Sequence, residues 1–93
     1  MKTAAIARKQ LTMRSWRRGM REMDLLLGPF ADAHLASMDE AELDAYFALL
    51  DESDHDLFAW ILAEERGSPM APARHSDMIA RITAAARKQM NRI

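Results

Sequence analysis

At 93 residues, with 49% hydrophobic and 29% charged side chains, the chain predicts one small globular domain over residues 1–93 with a single core. The absence of cysteine excludes disulfides and thiolate metal sites, and no apolar stretch reaches the roughly 20 residues of a membrane span. The formal net charge is -1, but the charges are unevenly distributed, with two basic ends and an acidic middle. This distribution suits a protein partner of mixed charge and disfavours DNA, whose phosphates would repel the acidic segment.

Helix-forming residues dominate the chain, which contains no valine and no convincing alternation of apolar and polar residues. We therefore predict an all-α fold, a compact five-helix bundle. The first helix is predicted from Ala4 to Arg17, ending near Gly19. The second is predicted from Met20 to Leu35, with a kink or a broken turn at Pro29. Its expected buried face comprises Met23, Leu26, Leu27 and Phe30.

The third helix has the clearest start signal in the chain. Asp39 as N-cap and Glu42 at the third helical position form a capping box, and Met38 with Leu43 can form a hydrophobic staple. The expected buried face comprises Leu43, Tyr46, Phe47 and Leu50.

Two further helices complete the predicted bundle. The fourth begins after Ser53 or Asp54 as cap and ends at Gly67. Its expected inward side chains are Leu57, Phe58, Trp60 and Ile61. After a proline-containing loop, the fifth is predicted from Ala73 to Asn91, with a buried stripe of Met78 or Ile79, Ile82, Ala86 and Met90.

No catalytic or metal-binding pattern is present in the sequence. The three histidines, His34, His55 and His75, are isolated, so we expect exposed or capping roles for them. The acidic run of Asp51, Glu52, Asp54 and Asp56 lacks the glycine and the terminal glutamate of a calcium loop, and helix capping explains it better. Nucleophile-elbow and glycine-rich phosphate motifs are also missing. We therefore expect a protein that is not an enzyme.

The most informative segment is residues 15–24, S-W-R-R-G-M-R-E-M-D. Four arginines (Arg14, Arg17, Arg18 and Arg21) surround Gly19, and Glu22 follows three positions later. A solvated helix junction would explain these charges. Alternatively, Gly19 lets the backbone of a partner approach, while Arg18 and Glu22 supply opposite charges for recognition.

The Arg18-Gly19-x-x-Glu22 pattern, followed by Asp24 and three leucines, resembles the signature of the SdhE family, the small FAD assembly factors of succinate dehydrogenase. A second stretch agrees, because residues 54–60 match that family's D-x-D-L-F-x-W segment. The resemblance covers nearly the whole chain and implies the same five-helix architecture. It also implies a partner-binding surface formed by Arg17, Arg18, Gly19, Arg21, Glu22, Asp24, Asp54 and Asp56.

The same resemblance implies an assembly chaperone. Such a protein binds the flavoprotein subunit of succinate dehydrogenase, with the related fumarate reductase as a further expected partner, and promotes covalent attachment of FAD. Residues of the partner would carry out the attachment, so we expect no tightly bound cofactor. We expect a cytoplasmic protein that does not insert into membranes, since the basic start runs directly into Gly19 without room for a removable segment. As surface charges, Arg18 and Glu22 should tolerate replacement by alanine with little change in melting temperature.

Two alternatives belong to other functional classes. A small helical nucleic-acid-binding or regulatory module would use the basic first helix, with Arg8, Lys9, Arg14, Arg17, Arg18 and Arg21. Its affinity should fall steeply with salt, and the acidic stretch from Asp39 to Asp56 argues against it. A flavin-transferring enzyme would need catalytic residues that the sequence does not offer.

Overall fold

The computed structural model describes residues 4–90, and five α-helices account for most of them. The helices are α1 (Ala4–Trp16), α2 (Arg21–His34), α3 (Glu40–Leu50), α4 (Asp54–Glu65) and α5 (Ala73–Met90), and a short 3₁₀ helix, Leu35–Ser37, follows α2. No strand occurs within the described residues. The all-α five-helix bundle is therefore confirmed. The predicted end of the fifth helix at Asn91 lies outside the described residues, and so does the side chain of Met90.

Helix ends follow the local signals of the sequence. The Asp39 carboxylate accepts the backbone N–H of Glu42 at 2.8 Å, and the Glu42 carboxylate accepts the N–H of Asp39 at 3.0 Å, which confirms the capping box. Ser53 rather than Asp54 caps α4, because its hydroxyl accepts the N–H of Asp56 at 3.1 Å. At the end of α4, Gly67 has a φ of 81°, the left-handed conformation that favours glycine.

The contact between α1 and α2 depends on Gly28. A β-carbon at Gly28 would lie 2.3 Å from the Trp16 ring, so only glycine lets the two helices approach this closely. The indole N–H of Trp16 also donates to Asp32, with 3.2 Å between Nε1 and Oδ2. Of the kink or broken turn expected at Pro29, the broken turn was wrong, because α2 continues through that residue to His34.

The core lies between all five helices and contains most of the apolar side chains that the helical spacing predicted. Its buried hydrophobic residues are Leu11, Met23, Leu27, Phe30, Ala31, Leu35, Met38, Leu43, Tyr46, Leu49, Leu50, Leu57, Ile61, Met78, Ile79 and Ile82. Leu26, Phe58 and Trp60 are half-buried and pack against this cluster. On α5 the residue in this position is Ala85, whereas the predicted Ala86 is half-buried but is not one of the residues packed against the cluster.

Phe47 was wrongly assigned to the core, since it is 50% exposed, while Leu49 is fully buried in its place. Helix α3 packs against both α1 and α5, so its buried face is centred between those neighbours. The outward ring of Phe47 instead lies beneath the Arg14 guanidinium, whose central carbon is 5.1 Å from the ring centroid.

A buried pair of hydroxyl groups joins α1 to α3. The Ser15 hydroxyl donates to the Leu11 carbonyl at 2.7 Å, so the Tyr46 hydroxyl must donate to Ser15 Oγ, 2.6 Å away. Burial raises the pKa of Tyr46 to about 12, although the hydrogen bond with Ser15 and the nearby arginines act in the opposite direction. This pair holds α1 in register with α3 just before the Arg18-Gly19 linker.

Candidate functional site

The α1–α2 linker and the α3–α4 turn meet at one end of the bundle, and Arg18 connects them. Its guanidinium donates from Nε to Asp54 Oδ1 at 2.7 Å, from Nη1 to the Leu50 carbonyl at 2.6 Å, and from Nη2 to the Glu52 carbonyl at 2.8 Å. The Arg18 side chain is only 11% exposed. The guanidinium thus binds the last turn of α3 and the first turn of α4 together.

This geometry corrects the expectation that Arg18 is a surface charge with little influence on folding. Its planar fork is bonded to groups of the chain itself, and two of those groups are backbone carbonyls for which no second side-chain donor occurs within residues 4–90. Whether Arg18 also contacts a partner stays a prediction.

Asp24 secures the linker from the other side. It lies in the first turn of α2, and its Oδ1 accepts the backbone N–H of Arg18 at 2.5 Å. A carboxylate at this position is also favourable near the helix N-terminus. The backbone of Arg18 and its side chain are therefore both held, the first by α2 and the second by the α3–α4 turn.

Gly19 is exposed, and nothing in the part of the chain that the structure describes requires a glycine there. Its φ is not positive, and a β-carbon would lie 3.7 Å from Asp54 Oδ2, which is an ordinary van der Waals contact. Gly28, by contrast, has no room for a side chain, and Gly67 has the left-handed conformation. Among these three glycines, Gly19 alone has a conformation and surroundings that would accept a side chain.

A groove of about 550 Å³ runs beside Gly19. It is lined by Met13, Arg14, Arg17, Arg18, Gly19, Ser53 and Asp54. Arg14 is paired with Asp51 at 3.1 Å, and Met13 is about half-exposed. The groove therefore combines positive charge with some apolar surface, and it is open to solvent.

The structure brings together half of the eight residues that were predicted to bind a partner. Arg17, Arg18, Gly19 and Asp54 line the groove. Arg21, Glu22, Asp24 and Asp56 lie outside its lining; Asp24 is half-buried and the other three are exposed. The predicted proximity of the Arg-Gly motif to the segment that begins at Asp54 is confirmed by the ion pair between Arg18 and Asp54.

Sequence reasoning missed a second cluster, on the far side of the α3–α4 turn. Glu52 accepts hydrogen bonds from His75 Nε2 at 2.8 Å and from Arg74 Nη2 at 3.0 Å. These two bonds, His75 first, lower the pKa of Glu52 below its usual value. His75 is only 2% exposed, so the expectation of an exposed or capping histidine was wrong. No spacing signal could have paired residues that are 23 positions apart.

The described part of the chain adds two findings about ligands and membranes. Within residues 4–90, no group of three or more potential ligand side chains could hold a metal ion. None of the helices described there combines the length and the apolar character of a membrane span.

Comparison with known proteins gives consistent matches. Residues 9–86 match the model of a family described as Sdh5, flavinator of succinate dehydrogenase. The FAD assembly factor SdhE of Aliivibrio fischeri is 38% identical over 66 residues, which cover 71% of this chain and 73% of that protein. The mitochondrial succinate dehydrogenase assembly factor 2 of Candida glabrata is 36% identical over 63 residues, which cover 68% of this chain and 41% of that relative.

Proposed function

Since the chain belongs to the Sdh5 family, the flavinators of succinate dehydrogenase, we propose that it binds the flavoprotein subunit of that enzyme and promotes its covalent attachment to FAD. The names of the two relatives, both assembly factors, support a role in assembly rather than in catalysis. The related fumarate reductase is a second proposed partner, and the cytoplasm is the proposed location.

The observation that carries this proposal is Gly19. Glycine is the least restrained residue in an unfolded chain, so ordering one costs more conformational entropy than ordering alanine would. The fold does not use that freedom here, because φ is not positive and a β-carbon would fit. Because glycine has no side chain, it lets the backbone of a partner approach closely, and this explains a glycine at position 19.

Two groups of side chains have different tasks in this proposal. Arg18, Asp24 and Asp54 hold the linker and the turn in place through bonds within the chain. The exposed side chains around them, Arg17, Arg21, Glu22 and Asp56, present both signs of charge to the partner. Complementary charges of this kind select a partner and accelerate its association more than they raise affinity.

We place the chemistry of attachment on the partner. The one carboxylate among the residues that line the groove, Asp54, is occupied by the Arg18 guanidinium. The factor would hold the flavoprotein in the conformation in which the subunit's own residues and its FAD are correctly oriented. On this proposal FAD stays on the partner, and the chain itself binds no cofactor tightly.

Replacing Gly19 by leucine tests this function directly. Gly19→Leu should keep the melting temperature of the unmodified chain, because the site is exposed and has room, while binding to the flavoprotein subunit should be lost. In a deletion strain, the variant should fail to restore covalent flavin, measured as flavin fluorescence of the subunit on a denaturing gel.

A matched control is Ala80→Leu, which adds similar bulk at an exposed position of α5 away from the groove. It should restore covalent flavin as well as the unmodified chain does. Full restoration by Gly19→Leu would show that no partner approaches Gly19, and the proposed binding surface would then be wrong.

A further inference from the structure

Glu52 joins α5 to the residue that holds the Arg-Gly motif. Its backbone carbonyl accepts Arg18 Nη2 at 2.8 Å, and its carboxylate accepts His75 Nε2 at 2.8 Å and Arg74 Nη2 at 3.0 Å. One residue of the α3–α4 turn is therefore bonded on both sides, to the linker through its backbone and to α5 through its side chain.

On the α5 side, His75 is the confined partner of Glu52, whereas the Arg74 side chain is 67% exposed. His75 is 2% exposed, and its ring lies 5.8 Å from the ring of Trp60, so the imidazole has little freedom to rotate. Because Glu52 offers only acceptors as a carboxylate, His75 Nε2 must carry the proton of this hydrogen bond. The other ring nitrogen, Nδ1, is buried without a hydrogen-bond partner within residues 4–90. The bond to Glu52 is thus the polar contact that fixes this buried ring.

The direction of the Glu52 carbonyl matters for Arg18. A guanidinium is planar and its donors have fixed directions, so it can bond to Asp54 and to two carbonyls only if these acceptors keep their relative positions. The turn between α3 and α4 spans only residues 51–53, and the Glu52 side chain is its link to α5.

We propose that Glu52, held by His75 and Arg74, is a positioning residue that sets the place of Arg18 and hence of Gly19 for binding the flavoprotein. The proposal rests on the proposed function of the groove, and it assigns a role in partner recognition to three residues that do not line it. Loss of the Glu52 carboxylate would release the turn, and the Arg18 guanidinium would lose the fixed set of acceptors.

The first test observes Arg18 without any partner. In a ¹⁵N–¹H NMR spectrum of the full chain, Glu52→Ala should shift or broaden the Nε–H signal of Arg18, which donates to Asp54. The matched control is Arg81→Ala, which removes another ion pair between α3 and α5, the 2.7 Å contact with Glu42. It should leave the Arg18 signal unchanged. An unchanged signal in Glu52→Ala would overturn the proposal.

The second test measures affinity for the purified flavoprotein subunit in a double-mutant cycle. Glu52→Ala should weaken binding about tenfold, and less than about twofold when Arg18 is already alanine, because coupled residues are not additive. Glu52→Gln keeps an acceptor oxygen and should restore most of the affinity. Equal losses in both backgrounds would mean that Glu52 does not act through Arg18.

The two proposals can fail separately. If the unmodified chain does not bind the subunit, the proposed function falls and this inference falls with it. If the unmodified chain binds and Glu52→Ala binds equally well, only the positioning role of Glu52 is wrong.

Discussion

Arg18→Ala should destabilise the protein substantially, although a surface arginine would be replaced at almost no cost. The substitution removes three charge-assisted donors and leaves two carbonyls and the Asp54 carboxylate without their partner. Hydrogen bonds to charged groups contribute about 1.5–3 kcal/mol each in buried surroundings. Asp54 is 18% exposed, so water can replace part of the loss. We therefore expect the free energy of unfolding to fall by about 3 kcal/mol.

Urea unfolding followed by circular dichroism measures this change. A small domain has about 5–15 kcal/mol of stability, so the variant should still fold at low urea concentration. Its denaturation midpoint should fall with an unchanged slope, because the same surface is exposed on unfolding. For a domain of this size the melting temperature should fall by about 12–24 °C.

Neighbouring substitutions sharpen the test. Arg17→Ala removes an arginine that is adjacent in sequence but exposed, and its free energy of unfolding should change by less than about 0.5 kcal/mol. Arg18→Lys keeps the charge but loses the planar fork, so its stability should lie between those of the unmodified chain and Arg18→Ala. If Arg17→Ala and Arg18→Ala unfold at the same urea concentration, the assignment of Arg18 as a structural clamp is wrong.

Two further predictions concern α1 and its contacts. Gly28→Ala should lower the free energy of unfolding by about 2 kcal/mol in urea unfolding, because the new β-carbon would lie 2.3 Å from the Trp16 ring. This loss outweighs the helix propensity, which favours alanine over glycine by about 1 kcal/mol. If the clash with Trp16 is the cause, the double variant Gly28→Ala, Trp16→Ala should recover the stability lost through Gly28→Ala. The pKa of Tyr46 is about 12 in the folded protein, against 10.0 for an unperturbed tyrosine. The folded state therefore keeps the proton that the unfolded state loses above pH 10. The free energy of unfolding should be unaffected below pH 10 and should fall by about 2–3 kcal/mol as the pH rises towards 12. Because Tyr46 is the one tyrosine in the chain, its ionisation can be followed by near-ultraviolet absorbance, and Tyr46→Phe should remove this part of the alkaline destabilisation.

The helices could be predicted from the sequence because their signals are local. The capping box at Asp39 and the glycine stop at Gly67 each depend on residues within one or two turns, and both formed as expected. Phe47 was misassigned because apolar residues lie around most of α3, so periodicity alone could not select the face that packs against α1 and α5.

The contacts that build the site could not be predicted in the same way. The Arg18 donors reach the Leu50 and Glu52 carbonyls more than 30 positions away, and a backbone carbonyl has no signature in a sequence. The role of Gly28 could not be predicted either, since it depends on how closely α2 packs against Trp16. The sequence motif and the groove coincide at Arg18 and Gly19, but the motif did not indicate that the Arg18 side chain is bonded within the fold while Gly19 is open to solvent.

That division has a consequence for affinity. Association costs free energy whenever a loop must be ordered at the interface, and a linker that is already fixed avoids this cost. The linker before Gly19 is fixed twice, by Asp24 at the Arg18 backbone and by the α3–α4 turn at the Arg18 side chain. Loss of either contact should therefore make the linker more mobile and weaken binding, even though every exposed charge is still in place. A side chain at Gly19 should instead leave the linker ordered and block the approach of the partner. On the proposed function, Arg18→Ala and Gly19→Leu should thus both reduce flavinylation, but only Arg18→Ala should lower the melting temperature markedly, while Gly19→Leu should leave it almost unchanged.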